Sequence, residues 1–271
     1  MAGNFESKKK LDIKWASMGL HWKNPTGDDF EPWLERVKSV GYDGVTCFAF
    51  EGLECFLDKP ELLSRSLNNS GMDLAAVDIP LDTPQDDYKR VMDLMNEANC
   101  KQLACIVHGA KNKTPELYKY YADMLNRTGE YASKRGICVH LHNNSDSIGR
   151  NFTDWKNLIP LIDWNLVYFM ADTGHVTKDF DEEPYSERAI KHLKDNWDRV
   201  HYLEFKDYNT ATDLNTPLGE GFCDFERIFA LMKERGYTGW ITIEQNGVSL
   251  ERSADECALI SRNFVRKGLG I

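Results

Sequence analysis

ICVHLH at residues 137–142, LVYFMAD at 166–172 and VHYLEFK at 200–206 are short, apolar, β-rich runs, and segments of helical character separate them. Such alternation is the mark of parallel βαβ units. Working outward, the same unit recurs at IKWASMGL from Ile13, GVTCFAF from Gly44, DLAAVDI from Asp73, QLACIVH from Gln102 and WITIEQ from Trp240. The runs start about 30 residues apart, the length of one strand and its crossover helix. Eight units predict a closed (β/α)₈ TIM barrel, α/β in class, rather than an open doubly wound sheet, where G-x-G-x-x-G normally follows the first strand. That fingerprint does not occur in this sequence.

Helix punctuation agrees. Thr114-Pro115-Glu116 opens a periodic run reaching Lys134, and Gly41, Gly71, Gly136 and Gly236 each stand between a helical segment and a strand, where a left-handed cap is needed. A chain of 271 residues without linker or low-complexity tract reads as one catalytic barrel domain over 11–271, with the polar MAGNFESKKK at 1–10 a disordered N-terminal segment.

Composition narrows the function. Mean hydropathy is -0.51 and no apolar run approaches a bilayer span, so no membrane association is expected. The polar N-terminus does not resemble a secretory signal, and seven cysteines without a C-x-x-C pair read as reduced core thiols, so a cytoplasmic location is expected. A net charge of -10 repels phosphate backbones and argues against nucleic acid as a partner.

In a barrel of this kind the chemistry sits where strands end. Strand five ends in HLHNN (His140, His142, Asn143, Asn144), strand six in MADTGH (Asp172, His175), strand seven in YLEFKD (Glu204, Lys206, Asp207) and strand eight in TIEQN (Glu244). Side chains alternate along a strand, so an inward face carrying His142, Asp172, Glu204 and Glu244 would bring these four together. Three carboxylates crowded in a barrel mouth raise one another's pKa unless a cation compensates. Three carboxylate oxygens and one imidazole form a mostly hard donor set, which points to one divalent ion: Mn²⁺ first, with Mg²⁺, Co²⁺ or Zn²⁺ as alternatives.

These residues resemble the xylose isomerase-like TIM-barrel superfamily of sugar isomerases and epimerases, which also holds inosose dehydratase and endonuclease IV relatives. The resemblance covers nearly the whole chain. It is carried by DTGH at 172–175, the Lys206-Asp207 pair, and GEGFCDFERIFALMKERGYTGWITIE at 219–244. It implies four ligands: Glu, Asp, His and Glu on strands five to eight. Asp172 and Glu244 match, while His142 stands where the glutamate is expected and Glu204 where the histidine is expected, an exchange that preserves the donor count. In the 3-epimerases of this superfamily, glutamates on strands five and eight act as opposed acid and base. With His142 in the first position, one-base isomerisation or elimination fits better than two-base epimerisation.

The expected activity is therefore a metal-dependent isomerase or epimerase that abstracts the proton α to the carbonyl of a ketose or keto-sugar through an enediolate. The substrate is a small sugar or keto-polyol, expected to be unphosphorylated because no basic cluster or glycine-rich phosphate cradle marks the strand ends. Glu244, or His142 where it is not a ligand, is the base. Lys206 is either an acid that neutralises the intermediate or a lysine ion-paired to a neighbouring carboxylate. His108, His175, His21, Trp22 and Asn144 are candidate substrate contacts, with Glu51 and the rings of Phe48 and Phe50 weaker ones. The alternatives are a lyase on the same scaffold, of the inosose dehydratase or C-glycoside deglycosidase kind; an endonuclease IV-like nuclease; and a non-catalytic barrel. A homo-oligomer or partner subunit is compatible with any of them.

Overall fold

The computed structural model describes residues 11–271 apart from 24, 26, 108–112, 146 and 182. The expected disorder of residues 1–10 and the expected role of His108 lie outside the described residues.

Eight parallel strands close into a barrel, with helices around them. In chain order the elements begin with β1 (Asp12–Ser17), α1 (Phe30–Val40), β2 (Gly44–Phe48), α2 (Pro60–Ser70), β3 (Asp73–Pro80), α3 (Gln85–Glu97), β4 (Gln102–Ile106) and α4 (Pro115–Ser133). There follow β5 (Cys138–His142), α5 (Phe152–Leu158), β6 (Val167–Asp172), α6 (Thr173–Asp179), α7 (Tyr185–Asn196) and β7 (Val200–Phe205). A small antiparallel hairpin, β8 (Asp207–Asn209) and β9 (Asp213–Thr216), precedes α8 (Phe225–Arg235), β10 (Thr238–Ile243) and α9 (Ala254–Leu269). The ring runs β1-β10-β7-β6-β5-β4-β3-β2.

All eight expected strands form, and β10 is the strand read at Trp240. Gly41, Gly71 and Gly236 cap α1, α2 and α8 in the left-handed conformation, and the Thr114 side chain accepts the Leu117 N–H at the start of α4. The hairpin was not anticipated, and neither was α6, which begins without a loop directly behind β6.

The main core fills the space between the ring and its helices, with Trp15, Phe30, Trp155, Phe169 and Phe205 among its bulky members. Inside the ring, Ala76, Ala104, Met170 and Tyr202 pack as a separate layer. There the Thr242 hydroxyl lies 2.6 Å from that of Thr46 and 2.8 Å from that of Tyr202. The barrel is thus plugged below its mouth, which confines chemistry to the C-terminal ends of the strands. The seven cysteines are all free thiols. Among the described residues no helix is long and apolar enough to cross a membrane.

Candidate metal centre and barrel mouth

Register decides which side chains meet. Asp172 on β6 is paired with Glu204 on β7, Glu204 with Thr242 on β10, and His142 on β5 with Met170 on β6. The side chains of His142, Asp172 and Glu204 point to one locus, and all three are buried. Each offers a donor atom, and these atoms lie within 4.8 Å of one another. His142 Nε2 is 3.0 Å from Glu204 Oε2 and 3.8 Å from Asp172 Oδ2. His142 Nε2, Asp172 Oδ2 and both Glu204 oxygens are buried without a hydrogen-bond partner. Buried polar atoms are nearly always paired, so orphans converging on one point fit a bound cation.

The DTGH motif has a local explanation. Asp172 is the N-cap of α6: its Oδ1 accepts the N–H groups of Gly174 and His175 at 2.8 and 3.0 Å, which leaves Oδ2 for the mouth. The Thr173 hydroxyl accepts the Lys206 N–H and donates to the Lys206 carbonyl, stitching α6 to the end of β7. Gly174 lies against the stem of Lys206, where an added Cβ would stand 2.6 Å from Lys206 Cγ. Asn143 clamps the Asp172 backbone through its side-chain amide, accepting from N–H at 2.8 Å and donating to C=O at 3.0 Å.

Lys206 organises the other half of the mouth. Its Nζ lies 2.7 Å from Glu244 Oε1, 3.4 Å from Asp172 Oδ2 and 3.2 Å from His175 Nε2. Lys206 is thus ion-paired to Glu244. Glu244 stands beside the three-residue group and is not a member of it. His175 is steadied from behind, since Ser145 donates its backbone N–H to Nδ1 and its hydroxyl lies 2.6 Å from the same atom. Asp207 accepts the N–H groups of Tyr208, Gly219, Gly221 and Cys223, folding the GEGFC loop down beside Lys206.

Charge is unbalanced. Asp78, Asp172, Glu204 and Glu244 are all buried near one ammonium, that of Lys206, which leaves a formal charge of minus three when the imidazoles are neutral. Burial opposes charge on Asp172, but Lys206, His175 and His142 outweigh it and hold the carboxyl below its usual range. Burial and repulsion from Glu244 push Glu204 well above its usual range, and burial raises Asp78. Burial is overcome at His142 by Glu204, Asp172 and Asp78, which raise it well above 6.5, and at Lys206 by Glu244 and Asp172, which also raise it. Burial and Lys206 push His175 well below its usual range. A divalent cation relieves this excess of negative charge directly.

The remaining candidates are placed as follows. His140 lies one layer deeper, with Nε2 2.7 Å from Gln102 Oε1, away from the cation locus. His21 is buried against Trp22, and the Trp22 indole donates to Asp255 at 2.6 Å. Asn144 is half-buried in the turn after β5, and its N–H is accepted by the Ser147 hydroxyl. Glu51 is exposed, while Phe48 and Phe50 are half-buried. Sequence reading passed over Asp78, whose Oδ2 is 3.5 Å from His142 Nδ1. The signal was present: a carboxylate inside the otherwise apolar DLAAVDIP of β3.

Comparison with known proteins agrees with this architecture. The family model described as xylose isomerase-like TIM barrel matches residues 34–264. An inosose dehydratase of Lactiplantibacillus plantarum is 23% identical, over 97% of this chain and 98% of its own. Among solved structures, a probable 3-DHS dehydratase involved in petrobactin synthesis in Bacillus anthracis superimposes with a TM-score of 0.73 at 11% identity, covering 94% of this chain and 98% of that one. The D-psicose 3-epimerase of Clostridium cellulolyticum H10 gives 0.72 at 15% identity, covering 94% and 99%.

Proposed function

The chain belongs to the xylose isomerase-like TIM barrel family, and from that premise we propose that it is a metal-dependent lyase that removes water from a keto-polyol after abstracting the proton next to the carbonyl. The observation that carries the reading is the adjacency of two sets of groups in one buried mouth. His142, Asp172 and Glu204 form a cluster of donors suited to a cation, and the Lys206–Glu244 pair at 2.7 Å is a ready acid and base beside it.

His142, Asp172 and Glu204 would hold the ion, with Mn²⁺ the first candidate for a mostly oxygen-donor set. Such an ion supplies Lewis acidity to the substrate carbonyl and electrostatic relief for the enolate. The protein's own groups do the rest. Glu244 takes the α-proton, and the C–H electron pair becomes the new C=C bond as the β C–O bond breaks. Lys206 gives a proton to the departing hydroxyl, which leaves as water, and then recovers one from Glu244 across their short contact. His175, anchored by Ser145, would hydrogen-bond a substrate oxygen.

Acid and base on the same side of the mouth suit elimination from one face. Opposed proton carriers are what two-base epimerisation requires, and His142 is engaged by Asp78, Glu204 and Asp172. The full-length similarity to an inosose dehydratase also favours elimination, so it is placed ahead of the isomerase reading that the sequence alone put first. Incubation of the Mn²⁺-loaded protein with an inosose tests this. Expected is loss of one water from the substrate mass with new ultraviolet absorbance from the conjugated enone. An isomer of unchanged mass moves the assignment to isomerisation, the second use of a one-base site.

A further inference from the structure

Asp78 has no part in the cation cluster or in the proton transfers described above. It lies in β3 between Val77 and Ile79, only 1% exposed, and neither carboxylate oxygen has a hydrogen-bond partner. An unpaired buried carboxylate costs several kcal/mol, so its presence in an apolar strand calls for a counterpart. The contact it makes is with the imidazole of His142, whose Nδ1 is 3.5 Å from Asp78 Oδ2. The opposite edge of the same ring, Nε2, faces Glu204 and Asp172. His142 therefore stands between a lone carboxylate on one side and the donor cluster on the other.

We propose that Asp78 is the positioning residue for His142: its carboxylate accepts a hydrogen bond from the Nδ1–H, fixing ring orientation and tautomer so that the Nε2 lone pair serves the cation held with Asp172 and Glu204. The inference rests on the metal-dependent reading above. A neutral imidazole carries one proton and one lone pair, and the hydrogen bond at one nitrogen decides which is offered at the other. A carboxylate behind a metal-binding histidine also raises its basicity, and removing such a partner weakens metal affinity 10- to 100-fold. The 3.5 Å separation is longer than a formed hydrogen bond, so the inference requires the ring and Asp78 to draw together when the ion is held.

The test uses Asp78→Asn, which keeps shape and removes charge, with Asp78→Ser, which leaves room for water, as the second variant. Binding of Mn²⁺ alone and of Zn²⁺ alone is measured by competition with a fluorescent chelator, and the melting temperature is taken on metal-free protein. Expected is a 10- to 100-fold loss of affinity, with metal-free melting unchanged or raised because a buried charge has gone. In Zn²⁺-loaded wild type, long-range ¹H–¹⁵N spectra should show His142 protonated at Nδ1 with slow proton exchange, and Asp78→Ser should speed that exchange. Wild-type affinity in a folded variant, or a proton on Nε2 in the loaded protein, overturns the inference and leaves the proposed activity standing. If the wild-type chain binds neither ion, the metal-dependent reading fails and takes the inference with it.

Discussion

Glu244 and Lys206 meet at 2.7 Å inside a mouth whose other acids are committed to the cation cluster or to Asp78's contact with His142. Removing the base while keeping its shape isolates its part: Glu244→Gln is expected to lower kcat by about 10²- to 10⁴-fold, the usual worth of a general base. Far-ultraviolet circular dichroism and melting temperature should be near wild type, and activity within a few-fold of wild type would remove Glu244 from the mechanism. At this scale the sequence was informative wherever a polar residue ended a strand, because strand alternation and the barrel's polarity indicate which side chains share the mouth. It could not show that Lys206 draws Glu244 away from the cluster, since that depends on two side chains arriving from strands far apart in sequence. Asp78 stands out in the sequence only as a lone carboxylate in an apolar strand; its partner, on β5 two strands away around the ring, is set by the three-dimensional arrangement and is not legible there.

The element that shapes the site is α6, set directly behind β6 so that its first turn lies in the mouth. Gly174 lets this turn lie against Lys206, where a methyl group would stand 2.6 Å from Cγ and 2.8 Å from Cβ. Neither atom is the free end of a flexible chain, so Gly174→Ala must displace Lys206 or α6. The expected result is a fall in kcat on the order of 10²-fold, as for displacement of a catalytic group by about 1 Å, with a stability loss of about 1–3 kcal/mol from overpacking. Steady-state kinetics and urea titration check both; a fully active variant would show that the close approach does not matter to the chemistry. The loop at 219–223 depends on Asp207 in a similar way. Gly221 sits where a Cβ would be 2.1 Å from Asp207 Oδ1, and four N–H groups converge on that carboxylate. Asp207→Ala should therefore speed amide exchange across 219–223 more than elsewhere, as measured by hydrogen exchange. Strand and helix existence was legible from alternation and caps. The hairpin β8–β9 was not, because strands of three and four residues carry too few alternating positions to register as a period.

For the whole molecule, ion binding and acidity are the two levers. A cation bound only by the folded chain stabilises it by about 2.7 kcal/mol at a hundred times its dissociation constant. Chelator treatment should therefore lower the melting temperature by several degrees and added Mn²⁺ should restore it; no change in either direction would argue against a bound ion. Acid acts elsewhere. Burial among Trp155, Phe169 and Phe180 pushes His192 down to about 3. In the unfolded chain it titrates near 6.5, so its stabilising contribution is complete above that pH and is lost as pH falls from 6.5 towards 3. The loss reaches about 1.4 kcal/mol per pH unit. Wild type should thus weaken relative to His192→Phe below pH 6.5 in urea titrations, and a constant difference from pH 8 to 5 would reject this account. Closure of the ring was legible from the count of eight units, together with the lack of the glycine signature that an open doubly wound sheet normally carries.

That closure leaves the seam between β1 and β2 as the thinnest join in the sheet, with two residue pairs in register against six between β1 and β10. A sealed cylinder offers no free edge for another chain to extend into a fibril. Within the ring, templated aggregation would have to begin by unzipping this two-pair join, which makes β1 and β2 the barrel strands to guard with charge in any attempt to keep concentrated solutions of the protein clear.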